Sequence, residues 1–80
     1  FAFPETGRGM IPGAGGSQTA PRQIGPGRAL DWILSGREFG AAEAWRIGLA
    51  SLVVADDERR ERADSIARRL ARQPRRLLRA

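Results

Sequence analysis

Eighty residues without a cysteine or a histidine allow one small domain and remove its two usual staples, disulfides and a His/Cys-bound structural metal. The net charge of +5 rests on 14 arginines and no lysine, so a polyanion-binding module must be weighed, although arginine to the exclusion of lysine beside abundant alanine and glycine reflects nucleotide-composition bias more simply. No stretch of about eighteen consecutive apolar residues occurs and residues 1–4 resemble no signal region, so no membrane span is expected, and the missing cysteines fit a cytoplasmic location.

In chain order, residues 1–3 alternate large and small apolar side chains up to Pro4, which cannot donate to a ladder, so a strand is expected to end there. Five glycines and Pro12 then fall between Thr6 and Gly16, predicting an irregular loop. Composition turns helical over 14–24, with Gly16 or Ser17 as cap and Pro21 expected to end or kink the helix. After a Gly25-Pro26-Gly27 turn, Ala29, Leu30, Ile33 and Leu34 share one face of a helix over 28–34 closed by Gly36, with Trp32 off that face.

Glu38-Phe39 reads as short and extended, and residues 41–48 as a two-turn helix stopped by Gly48. Residues 49–54, apolar and β-branched, predict a short buried strand. From Asp56, Ala63, Ile66, Ala67, Leu70 and Ala71 repeat at helical spacing until Gln73-Pro74, and residues 75–80 begin another helix. Small size, no staple and a start inside an apolar segment lead us to expect a piece of a larger protein.

Two features carry candidate chemistry. Glu5 stands after two phenylalanines and ahead of Met10 and Ile11, a setting that would desolvate a carboxylate and suit it to proton transfer, unless Arg8 comes close. The plain alternative is a solvated loop glutamate. Gly13-Ala14-Gly15-Gly16 offers backbone N–H groups ahead of a helix, or is simply a tight turn. It is no Walker loop, since no lysine exists, and no dinucleotide fingerprint, since no glycine follows three after Gly15. Serine catalysis lacks a histidine, and Glu38 and Glu43 read as surface residues rather than a glycosidase pair.

Phe3-Pro4-Glu5 followed by Ile11-Pro12-Gly13-Ala14-Gly15-Gly16-Ser17-Gln18 resembles the central motif of the enoyl-CoA hydratase/isomerase (crotonase) family. The likeness continues through Pro21-Arg22, Leu34-Ser35-Gly36-Arg37, Ala41-Ala42-Glu43-Ala44 and Gly48-Leu49 to Val53-Val54. It implies an α/β fold: part of the crotonase ββα spiral, mostly helical here with short strands. Residues 1–55 would be the C-terminal part of the core and 56–80 the incomplete start of a C-terminal helical region.

The resemblance also implies roles. Glu5 would be the acid/base residue exchanging the proton at the α-carbon of an acyl-CoA thioester, and Gly13 a backbone wall of the substrate site. No metal or cofactor is implied, coenzyme A being part of the substrate, and full-length relatives assemble as trimers or hexamers. The family's oxyanion-hole donors and first hydratase glutamate lie in segments before the position of Phe1, so the isolated 80-residue polypeptide is expected to be inactive. Thr19-Ala20 stands where the family often has arginine, and Phe1-Ala2-Phe3 replaces a more usual Phe-Gly-x; neither touches the carboxylate, and neither separates hydratase from isomerase.

The rival function is a basic, non-enzymatic module centred on residues 68–79, laid on nucleic acid or an acidic surface. Against it, Asp56, Asp57, Glu58, Glu61 and Asp64 interleave with the first arginines, and no aromatic is present there to stack on bases. No nucleic acid or membrane partner is therefore expected.

Overall fold

A computed structural model of the chain describes residues 1–79. Its regular elements are a 3₁₀ turn (Pro4–Arg8), α1 (Gly16–Ile24), α2 (Pro26–Ser35), α3 (Ala41–Arg46), a second 3₁₀ turn (Asp56–Glu58), α4 (Arg59–Ala71) and α5 (Arg75–Leu78). No strand forms among the described residues, which corrects both predicted strands, at 1–3 and at 49–54. A strand is stable only beside a neighbour. Residues 1–3 find a trace of one: Phe1 N donates to Phe39 O at 2.8 Å, and Phe39 N returns a bond to Phe1 O at 3.0 Å. Such an exchange is one rung of an antiparallel ladder, and no second rung follows.

Proline and glycine place the helix ends, at somewhat different residues than the sequence pattern predicts. Pro26 is the first residue of α2 rather than part of a preceding turn, because its fixed φ suits a helix start and its missing N–H would be unpaired there anyway. Gly36 ends that helix at φ 65°, where a side chain would be strained. Pro21 does not end α1, which runs on to Ile24. The proline removes one backbone bond, and burial of Ala20 and Ile24 on either side of it holds the helix against that loss. The cap of α1 is Gly15, not Gly16 or Ser17.

The core joins Ala20 and Ile24 of α1, Ala29 and Trp32 of α2, Ala44 of α3, and the loop residues Phe39 and Ile47. Small alanines and larger aromatic and aliphatic side chains fill it together. Trp32 is the centre: its ring centroid lies 4.4 Å from that of Phe3 and 4.7 Å from that of Phe39. The predicted face of α2 holds for Ala29, which is buried, and in part for Ile33, but not for its two leucines. Trp32 is buried, whereas Leu30 and Leu34 are 59% and 62% exposed, because the large indole and not the two leucines is what the rings of Phe3 and Phe39 can enclose.

Phe3 also meets α1. A Cβ placed on Gly16 would stand 2.5 Å from Phe3 Cε1 and 3.2 Å from Pro12 Cβ, so only hydrogen fits there. We expect Gly16→Ala to destabilise the folded protein by about 1–3 kcal/mol, the usual cost of overpacking, read as a lowered denaturation midpoint with unchanged slope.

On α3, Arg46 Nε and Nη2 each donate to one oxygen of Glu43 at 2.6 Å, and Arg37 joins them at 4.0 Å while bonding Asp31 of α2 at 2.9 Å. The Arg46 hydrogen bond holds the Glu43 carboxyl below its ordinary value; partial burial opposes this, and the charges of Arg46, Arg37 and Arg28 add to it. A carboxyl depressed in the folded state stabilises fully above its unfolded pKa and loses that contribution as pH falls through the folded one. The thermal midpoint should thus fall on acidification from about pH 5 downward, and Glu43→Gln should flatten that acid limb while lowering the midpoint at neutral pH.

Beyond Ala50 the packing thins. No residue of α4 or α5 is buried, and of the predicted α4 face only Ile66 is partly covered. The radius of gyration of 15.5 Å exceeds the roughly 12 Å of a compact domain of this length, as expected when a helix stands off the core. Among the described residues no helix is long and apolar enough to cross a membrane.

Candidate functional site

Glu5 lies in the 3₁₀ turn Pro4–Arg8, not at a strand end followed by open loop. Pro4 opens the turn, and Gly9 closes it in the left-handed region at φ 72°. Two backbone bonds fix its shape, Gly9 N to Thr6 O at 3.1 Å and Met10 N to Glu5 O at 3.0 Å. The Glu5 side chain is half-buried. Its Oε2 is fully covered and has no hydrogen-bond partner.

An unpaired, covered carboxylate oxygen is costly, and native proteins keep few of them outside sites that use the group. The cover does not come as the sequence implies. Met10 and Ile11 are exposed at 54% and 73%, so they do not desolvate the carboxylate, and Arg8 is exposed and makes no ion pair with Glu5 among the described residues. The turn itself follows Phe3, whose side chain packs against the core.

Gly13 follows in the glycine-rich turn ahead of α1. It is exposed, a Cβ there would meet nothing within 4 Å, and its N–H has no acceptor among the described residues. That amide is open to an incoming polar atom. The same Phe3 ring that leads into the Glu5 turn packs on Gly16 at the start of α1, which brings the ends of the two candidate segments to one side chain.

The sequence pattern passes over Thr6. Its hydroxyl donates to Ile33 O at 3.0 Å, tying the Glu5 turn to the end of α2. The only local signal is a hydroxyl residue directly after the glutamate. Three shallow clefts lie elsewhere, each lined in part by α4; one of about 440 Å³ is bounded by Ser51, Leu52, Arg62, Ser65, Ile66 and Arg69. Glu5 and Gly13 line none of them. The arginines from Arg59 onward are exposed and mixed with acidic side chains in the first turns of α4, an ordinary solvated helix surface.

Comparison with known proteins gives one answer along the whole chain. Residues 1–80 match the family model described as enoyl-CoA hydratase/isomerase, so the arginine-rich helices fall within the matched sequence and are no appended module. A probable enoyl-CoA hydratase of Rhizobium meliloti (strain 1021) is 49% identical over 71 residues, which are 89% of this chain and 28% of that protein. A crotonyl-CoA hydratase of Syntrophomonas wolfei is 41% identical over 70 residues, 88% of this chain and 27% of its own length. Among solved structures, an enoyl-CoA hydratase from Bacillus anthracis superposes with a TM-score of 0.86 at 44% identity, over 88% of this chain and 27% of that one. The chain thus spans little more than a quarter of the length of the proteins it matches.

Proposed function

The chain belongs to the enoyl-CoA hydratase/isomerase family, and from that premise we propose that it is part of an enzyme acting on acyl-CoA thioesters, with Glu5 as the proton-transfer group. In the hydratase reaction, water adds across the double bond of a 2-enoyl-CoA on one face. Its oxygen bonds the β-carbon and a proton reaches the α-carbon, and Glu5 exchanges that proton. Gly13 contributes a backbone N–H to the wall around the bound water or substrate. Coenzyme A enters as part of the substrate, and no resident metal or redox cofactor takes part.

One observation carries the reading: Glu5 Oε2 is covered yet unpartnered in the 3₁₀ turn that precedes the glycine-rich segment. A group held in this way is free to take a proton from, or give one to, a reacting atom rather than being committed to a structural bond. Residues 56–80 open a C-terminal helical region beyond the core piece formed by residues 1–55. The 80 residues alone are inactive on this reading, since they include neither oxyanion-hole donors nor a second catalytic carboxylate. In trimers or pairs of trimers of the complete enzyme, Leu30 and Leu34 supply exposed apolar surface for contact. The test is hydration of crotonyl-CoA by the complete enzyme, with and without the Glu5 carboxylate.

A further inference from the structure

Among the described residues, Thr6 is the one side chain that ties the turn carrying Glu5 to a helix by a hydrogen bond. Its Oγ1 donates to Ile33 O at 3.0 Å and lies 3.4 Å from Leu34 O. Both carbonyls belong to the last turn of α2, where intrahelical partners run out. The next amides are used otherwise: Gly36 N donates to Trp32 O, and Arg37 N to Ser35 Oγ. The Thr6 hydroxyl therefore supplies the bond that the helix end lacks. Gly36, which closes α2 at φ 65°, lies beside this bond: a Cβ there would be in ordinary contact with Phe3 O at 3.4 Å and Thr6 Oγ1 at 3.5 Å.

The bonds within the turn, from Gly9 and Met10, fix its shape but not its orientation on the core. Orientation comes from the Phe3 ring before it and the Thr6 hydroxyl inside it. In a 3₁₀ turn, with about three residues per revolution, neighbouring side chains point roughly 120° apart. Fixing the direction of Thr6 thus fixes the direction of Glu5, and a roll of the turn that frees the hydroxyl swings the carboxylate with it.

We propose that Thr6 is a positioning residue: through its bond to the C-terminal carbonyls of α2 it sets the direction in which Glu5 presents its unpartnered oxygen. The proposal rests on the reading of Glu5 as the proton-transfer group.

The test compares Thr6→Val, Thr6→Ser and Glu5→Gln in the complete enzyme, by kcat and KM on crotonyl-CoA with a thermal melt for each. Thr6→Val keeps the shape and loses the donor, so kcat should fall about tenfold or more with KM changed less than about twofold, and Thr6→Ser should recover most of kcat. In the Glu5→Gln background Thr6→Val should cost little further, because the two act through one group. Thr6→Ala, which adds no methyl, replaces the valine variant if that one does not fold. An unchanged kcat in the donor-less variant, or a serine variant as impaired as the valine one, overturns the role of the hydroxyl while Glu5 keeps its own. Full activity in Glu5→Gln overturns both.

Discussion

Replacing Glu5 with glutamine in the complete enzyme should reduce kcat for hydration of crotonyl-CoA by roughly 10²–10⁴-fold, the usual worth of a positioned acid or base. Glutamine matches the carboxylate in size and keeps one acceptor, but it cannot carry the proton. The fold should tolerate the change well, since Glu5 Oε2 makes no hydrogen bond that would be lost. A thermal midpoint close to that of the parent, with turnover nearly gone, is the expected pair of results. A kcat within about threefold of the parent's would instead mean that the covered carboxylate is a structural accident and that the chemistry lies with another group.

The second large effect concerns stability. Trp32 is 4% exposed and packs between Phe3 and Phe39, so Trp32→Ala should cost about 3–5 kcal/mol, as large-to-small changes of buried aromatics do. Trp32→Phe should cost much less. It keeps most of the ring contact and removes an indole N–H that is buried without a partner. Denaturant melts of both variants in the complete protein measure the difference. If the alanine variant lost less than about 1 kcal/mol, the aromatic row would not be the centre of this core. Turnover should fall in the alanine variant as well, because Phe3 leads directly into the turn of Glu5.

What the sequence discloses follows from how local each signal is. Helix ends are marked by single residues with fixed backbone preferences, so Gly36 and Gly48 stop their helices as predicted. The glycine-rich turn and the carboxylate stand out for the same reason. Burial is a tertiary fact, and here the pattern misleads: Leu30 and Leu34 read as core, yet Trp32 takes that place because rings from residues 3 and 39 converge on it. The two expected strands fail likewise, since 49–54 has the composition of a strand but no neighbour to pair with among the described residues. Pro21 shows the reverse error, a strong local signal overridden by the burial of Ala20 and Ile24. The anchor at Thr6 left only a hydroxyl beside the glutamate as a local sign, because its partner is a main-chain carbonyl 27 residues away.

The ring of Phe3 rests on Trp32 on one side and on the bare α-carbon of Gly16 on another, just before the chain turns into Pro4 and Glu5. One rigid plate thereby links the carboxylate's turn to the helix that follows the glycines. A change that pulls the ring away from either neighbour is therefore expected to disturb both segments at once, the one that leads into Glu5 and the one that follows the glycines.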